Sequence, residues 1–369
     1  MRSFRRWLSM LLAGSSVLAL AVVPASASTT GTVVVPPGVS AGVAVFDRQT
    51  GQFTESLNPD LQFRSASVVK LLLALDYLWN RGPTYEMPAA DRSRLEVMLR
   101  RSDDAAASYY WDQLGRSAII DRMVPRLGLT NTAGPPATHP GFWGYAAFTA
   151  ADTVRIYRYL LDQAPAPVRT FVMGNLHQAT RYGTDGFDQY FGIPSVFEPP
   201  FAIKQGWSGF PSANGAAGVD LVKEALHTTG TLGPNDRTIV AVYTLHPDST
   251  PYGKAYTDVT RLTRTLTIPG AVKSPGTWFT TTGSGVRVRS APNTTSTVIG
   301  TLPSTADVLV TCQKKSQLVT DPPHTSDWWA YLPKYRGYVT NIYISTGTPK
   351  LPNTPDCQPA VRALADLRG

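Results

Sequence analysis

The stretch FRSASVVKLLLALDYLW, Phe63 to Trp79, starts polar and turns into an apolar, helix-like run, with Ser67 and Lys70 three positions apart at its head. Three residues along a helix return to nearly the same face, so a hydroxyl at position 67 and an amine at position 70 can meet. That arrangement suits a nucleophile beside a base. To accept a proton the amine must be neutral part of the time, and desolvation beside Leu71, Leu72 and Leu73 would favour the neutral form. Alone, the pair reads as a helix cap with a lysine stretching to solvent, because a chain of this length holds such a spacing about once by chance. Its meaning depends on what accompanies it.

Thirty-five residues beyond Ser67 stands Ser102-Asp103-Asp104, at a break between helical runs, and Lys204-Gln205-Gly206 follows in a strand. In order and spacing these resemble the Ser-x-x-Lys, Ser-Asp-Asn and Lys-Thr-Gly signatures of serine β-lactamases and penicillin-binding proteins. The flanks agree. AGVAVFDRQTGQFTESLNPDLQFRSASVVK is similar to the hairpin-then-nucleophile opening of class A enzymes, and SDDAAASYYWDQLG to their second signature helix. The resemblance covers roughly Val43 to Ile268. It implies an α/β (α+β) β-lactamase/transpeptidase-like fold, an antiparallel sheet with a helical cluster, acting without cofactor on a β-lactam or a D-alanyl peptide of peptidoglycan, the alternative being a catalytically impaired protein of that fold that binds cell-wall fragments.

The resemblance also implies roles. Ser67 attacks a carbonyl, Lys70 accepts its proton, and Ser102 relays a proton toward the leaving nitrogen. Lys204 keeps the site positive for a substrate carboxylate and holds the lysine pKa low. The oxyanion donors would be the backbone amide of Ser67 and one beyond Gly206, at Trp207 or Ser208. Asp103 is read as structural, tying its turn to the backbone.

There are departures. Asp104 replaces the asparagine expected to bind the substrate's acylamide, and Gln205 replaces a threonine expected to hold its carboxylate. Between Asp104 and Glu198 there is no glutamate, the residue that activates the deacylating water in class A β-lactamases. The corresponding loop, TNTAGPPATHPGFWG, offers only His139 as a titratable group, and a lone loop histidine reads as surface decoration. His227 is read as structural, Lys223 and Glu224 as a solvated strand edge, and Tyr109, Tyr110, Trp111, Trp143 and Tyr145 as packing aromatics.

Strands at VAVFDRQTGQFTESLN, FAIKQGW, GVDLVKEALHTT and DRTIVAVYTLH lie at both ends of this region, with helices between and a last helix from about Lys254 to Leu266. One sheet whose N- and C-terminal strands pair, with helices alongside, accommodates that order. Thr149 reads as the cap of a further helix, with Asp152 in the box position. Around IPGAVKSPGTW the composition turns linker-like. Beyond it, SGVRVRSAPNTTSTVIGTL and DWWAYLPKYRGYVTNIYIS alternate as short strands of a small all-β barrel. VRVRSAPNTTSTVIGTL resembles the first hairpin of bacterial SH3 domains, and WWAYLPKYRGYVTNIYI their final strands, which implies attachment to cell-wall peptide or polymer.

The first 27 residues, with Arg2, Arg5 and Arg6, an apolar run and Ala25-Ser26-Ala27, read as a secretory signal. Gly14-Ser15-Ser16 and Pro24 leave too short a run for a membrane span. No cysteine lies near the cut to carry a lipid, so the mature chain is expected to be secreted, extracellular or wall-associated. Losing three arginines and no acids takes the net charge from +8 to +5, a mild excess that suits anionic wall polymer better than nucleic acid, since the basic residues are scattered. The two cysteines, Cys312 and Cys357, are expected to form one disulfide, and no metal-binding spacing exists. The expected division is 1–27 signal, 28–268 hydrolase domain, 269–276 linker, 277–345 SH3-like domain and 346–369 tail.

Overall fold

The structure, a computed structural model, describes residues 33–209, 223–303, 305–346 and 348–358. The expected leader and the first residues of the expected strand at 218–229 lie outside them.

Strands β1 (Ser40–Asp47) and β2 (Gln52–Leu57) form the expected hairpin, closed by Gly51 at φ +71°, where a side chain would be strained. Next come β3 (Phe63–Arg64), a 3₁₀ turn at Ala66–Val69, and helix α1 (Lys70–Trp79). Helices α2 (Ala89–Arg101), α3 (Asp104–Gln113) and α4 (Ala118–Leu127) follow, then β4 (Ala147–Phe148), α5 (Ala150–Arg158), α6 (Ala166–His177) and the short α7 (Ile193–Val196). The chain returns to the sheet with β5 (Phe201–Ser208), β6 (Glu224–Leu232) and β7 (Thr238–His246), and α8 (Tyr252–Thr265) ends this part. The sheet order is β2-β1-β7-β6-β5, all neighbours antiparallel, so the first and last strands do pair.

Both faces of β1 and β7 are buried, so these strands read as continuous apolar runs. Val43, Val45, Val240 and Val242 face one way, toward Val259 and Leu262 of α8. Ala44, Phe46, Ile239 and Ala241 face the other, toward the cluster centred on α1, whose Leu71 to Leu78 are all buried. At about 2 kcal/mol per fully buried aliphatic side chain, α1 is held by this packing rather than by its caps, since it has no side-chain N-cap. Thr149 does cap α5, accepting from the Asp152 amide at 3.0 Å.

The rest is all-β: β8 (Thr277–Thr280), β9 (Arg287–Arg289), β10 (Val298–Thr301), β11 (Asp307–Val310), β12 (Cys312–Asp321), β13 (His324–Leu332) and β14 (Gly337–Thr340). Five form a sheet in the order β10-β9-β14-β13-β12, and β11 pairs with β8 around a separate apolar core that includes Val288, Val310 and Val339. Cys312 and Cys357 are disulfide-bonded.

Two further segments are held by hydrogen bonds. The segment read as a tail is fastened as far as Cys357: the buried Gln313 amide donates to Leu351 O and Thr354 O at 3.0 and 2.9 Å, and its oxygen accepts from the Leu351 amide at 2.8 Å. The segment read as a linker lies against the 196–198 backbone, with Glu198 N donating to Val272 O and Ser274 N to Val196 O. Contacts join the two parts. Arg261 pairs with Asp307 at 2.7 Å, and largely buried Arg181 stacks on Tyr335, 3.5 Å from the ring centroid, while donating to Lys334 O and Asp188.

Candidate active site

Ser67 sits within the 3₁₀ turn, and Lys70 opens α1. The helix therefore starts three residues later than the sequence suggests. The spacing still works, because side chains three apart eclipse in a 3₁₀ turn. Lys70 Nζ donates to Ser67 Oγ at 2.8 Å. Ala66, just before the serine, has φ +45°, a left-handed conformation that a non-glycine residue holds only when its surroundings impose it.

Ser102 terminates α2 in the same left-handed region, at φ +57°. This aims its hydroxyl between two lysines, 3.2 Å from Lys70 Nζ and 2.8 Å from Lys204 Nζ, while its carbonyl accepts from Lys70 at 2.5 Å. Asp103 caps α3, accepting from Ala106 N at 2.7 Å, which fixes the turn as expected. Asp104 projects the other way and takes Lys70 Nζ at 2.6 Å, with its side chain 68% exposed while Lys70 is fully buried.

Burial pushes the Lys70 amine below the usual lysine range, and the carboxylates of Asp104, Asp103 and Asp185 oppose that shift. Lys204 is pushed well down, first by burial and then by the nearby Lys70. Two cations cannot share one dry pocket cheaply, so the pair tends to hold fewer than two protons beyond the neutral amines.

Gly206 lets β5 press against the nucleophile turn: a Cβ there would meet Ser65 O at 3.0 Å, Val68 Cγ2 at 3.2 Å and Ala66 Cβ at 3.3 Å. Gln205 corrects an expectation. Strand alternation turns it to the opposite face from Lys204 and Gly206, where its buried amide donates to Gln189 O and Phe191 O at 3.0 and 2.8 Å. It braces the 189–191 backbone instead of facing the nucleophile. Ser208 lies at the end of β5, its hydroxyl accepting from Arg64 Nε at 2.7 Å.

Two contributors escaped the sequence reading. Arg64, fully buried, also donates to the carbonyls of Ser208 and Lys223 and so ties β3 to the ends of β5 and β6. Its neighbours in sequence, Gln62, Phe63 and Ser65, gave no signal that it would be buried. Trp143, read as packing, places its ring 4.8 Å from Lys70 Nζ and donates to Ser108 Oγ at 3.2 Å. His139 is hydrogen-bonded to Thr138 and packs against Phe142 and Tyr145. His227 is structural: fully buried, it bonds Arg64 O at 2.8 Å and accepts from Thr244 N, and burial lowers its pKa to about 3. Glu224, read as solvated, is partly buried, which raises its pKa. Among the described residues no group of metal-ligating side chains occurs.

Over 234 residues, the chain is 34% identical to the protein named "Putative lipoprotein LppW" in Mycobacterium bovis and in Mycobacterium tuberculosis, a match spanning 62% of this chain and 70% of LppW. The chain belongs to the LppW family. No family model matches it. Among solved structures, it is similar to a class A β-lactamase from Mycobacterium abscessus (18% identity, TM-score 0.47, 62% of this chain and 92% of that one) and to PBP-A (16%, TM-score 0.48, 63% and 90%). Residues 33–268 of this LppW relative form an α+β unit, a five-stranded antiparallel sheet beside a helical cluster, in which the two hydroxyls and Lys70 come from the helical side and Lys204 from the edge strand.

Proposed function

We propose that this LppW-family chain is an exported serine hydrolase that forms an acyl-enzyme with β-lactams or D-alanyl peptides of peptidoglycan. One observation carries the reading: Ser67 Oγ, Lys70 Nζ, Ser102 Oγ and Lys204 Nζ form an unbroken hydrogen-bonded chain of 2.8, 3.2 and 2.8 Å links. Ser67 Oγ bonds to the carbonyl carbon as its proton passes to neutral Lys70; the C–N bond breaks, and the proton reaches the leaving nitrogen through Ser102. Backbone amides of Ser67 and of Ser208 or Trp207 serve the oxyanion. The test is incubation with a penicillin: the intact mass should rise by one opened lactam, on the peptide carrying Ser67, and Ser67→Ala should abolish it. Absence of any adduct with several lactams and with D-alanyl thioesters would overturn the reading.

A second reading is a protein that binds wall fragments without turnover. Its support is the 2.6 Å contact of Asp104 with Lys70, which favours the charged amine, together with the displacement of Gln205. In either case, we infer that residues 277–345 act as an SH3-like unit holding cell-wall polymer, and that residues 28–268 form the penicillin-fold unit. Export is supported by the leader-like N-terminal sequence and by the lipoprotein name of the relatives; both cysteines of this chain are in the disulfide, leaving neither for a lipid. Among the described residues no helix is long and apolar enough to cross a membrane.

A further inference from the structure

The charges around Ser67 are arranged with the cations inside and a carboxylate outside. Lys70 and Lys204 are buried, whereas Asp104, 68% exposed, presents a carboxylate outward. Only one of its oxygens is within hydrogen-bond reach of Lys70 Nζ, at 2.6 Å, and that Nζ is 2.8 Å from the nucleophile. A carboxylate has about four acceptor positions and no donor, so its outer side can be satisfied only by water or by a donor on the ligand. Asp104 Oδ1 and Ser67 Oγ share Lys70 Nζ as donor, at 2.6 and 2.8 Å, so the carboxylate lies beside the place where a carbonyl held at Ser67 would carry its substituents.

We propose that Asp104 selects acyl donors whose side chain, borne on the carbon next to the reacting carbonyl, carries a protonated amine, the ammonium resting on the outer side of the carboxylate. This rests on the acyl-serine reading above. A neutral substituent leaves the carboxylate without a new partner, and an anionic one is repelled. The ammonium has a second effect. Asp104 favours the charged form of Lys70, against the burial that lowers its pKa, and the charged form cannot take the Ser67 proton. A second cation on the same carboxylate weakens that effect and repels charge from Lys70, so the matched donor brings with it the condition for its own acylation. Asp185, which also acts electrostatically on Lys70 and accepts from Trp207 Nε1 at 3.2 Å, adds negative charge on the side of β5.

The experiment uses three penicillins with one bicyclic nucleus and side chains bearing an ammonium, no charge or a carboxylate. Second-order acylation constants of the full chain should fall in that order, with the ammonium compound about tenfold ahead of the neutral one, the factor one charge-assisted contact supplies. Asp104→Asn should shrink that preference to within about twofold and speed the neutral compound, because Lys70 is released. Equal constants in the unaltered protein, or a preference that persists in Asp104→Asn, would overturn the proposal. If no compound acylates Ser67, the acyl-serine reading fails and binding decides instead. Titration calorimetry on Ser67→Ala should then still rank the ammonium compound tightest by about tenfold, and equal affinities would refute the selection.

Discussion

The guanidinium of Arg181 lies 3.5 Å from the centroid of the Tyr335 ring and donates to Asp188, which also accepts from the Tyr335 hydroxyl at 3.2 Å. Through this knot the all-β part grips the segment from Arg181 to Phe191. The same segment reaches the surroundings of Ser102 and β5: Thr184 N donates to Arg101 O beside Ser102, and Phe187 stacks on Trp207 at 4.7 Å.

Tyr335→Ala should therefore be felt at the cleft. A desolvated cation–π contact contributes about 2 kcal/mol, so amide exchange of residues 181–191 should accelerate and acylation slow, although residue 335 lies in the other part of the chain. Exchange unchanged outside residues 330–340 would show the two parts to be independent.

Gly206→Ala should damage reactivity far more than stability. The added methyl must displace either β5 or the Ala66 turn by a few tenths of an ångström, and misplacement near a nucleophile costs up to about 10² in rate. Acylation kinetics beside a denaturant titration separate the two effects.

The acylation rate should rise with pH, because neutral Lys70 is the form that accepts the serine proton. Burial lowers the Lys70 pKa, so the rise should fall below the ordinary lysine range; Asp104 works in the opposite direction. Removing that carboxylate in Asp104→Asn should move the rise to lower pH. A pH–rate profile that stays in place would show that Lys70 is not the base.

Deacylation should be slow. The loop after Leu129 brings no glutamate, and His139 is engaged with Thr138 and the rings of Phe142 and Tyr145. A missing general base costs about 10² to 10⁴ in rate, so a penicillin adduct should persist in time-resolved mass spectra, with His139→Ala making little difference. Rapid hydrolysis that survives that substitution would require another base.

Gln313→Ala should loosen the closing segment of the all-β part. It strands the Leu351 amide and the carbonyls of Leu351 and Thr354, each worth about 1 to 3 kcal/mol when buried without a partner. Limited proteolysis should then cut near residues 351–357, still tethered by the disulfide, while the sheet of β1 and β7 stays protected. Reducing the disulfide, which closes 45 residues of sequence separation, should add about 4 kcal/mol of destabilisation in the chain-entropy picture.

The elements set by local pattern were legible: the β1–β2 hairpin about Gly51, the Thr149 cap, the Asp103 cap and the two short-strand regions near the end. So were Ser67, Lys70, Ser102 and Lys204 as a group, because fixed spacings on a turn, a helix end and a strand carry their geometry with them. What a string of residues does not display is the facing of neighbours across space. Gln205 looked like a cleft residue because it stands where the Lys-Thr-Gly signature has its threonine, yet its amide is held by the carbonyls of Gln189 and Phe191 on the other side of the strand. Trp143 and Arg64 gained their places only once β4 and the Ser67 turn were brought together, through Ser65 N to Ala146 O at 2.7 Å. The closing segment after Ile344 has no periodicity, since a single glutamine rather than a strand ladder holds much of it.

The pairing of β1 with β7 governs when reactivity can arise during the protein's life. Ser40 faces Leu245 across the ladder, roughly 200 residues apart, and contacts that distant form late in folding. The edge strand bearing Lys204 hangs on the same sheet, two positions beyond β7. Until β7 is made and docked, Ser67 has its neighbouring lysine but no second cation opposite Ser102. On the acyl-serine reading proposed above, a chain whose sheet has not yet closed is thus chemically silent, and the serine is armed only when β7 is in place.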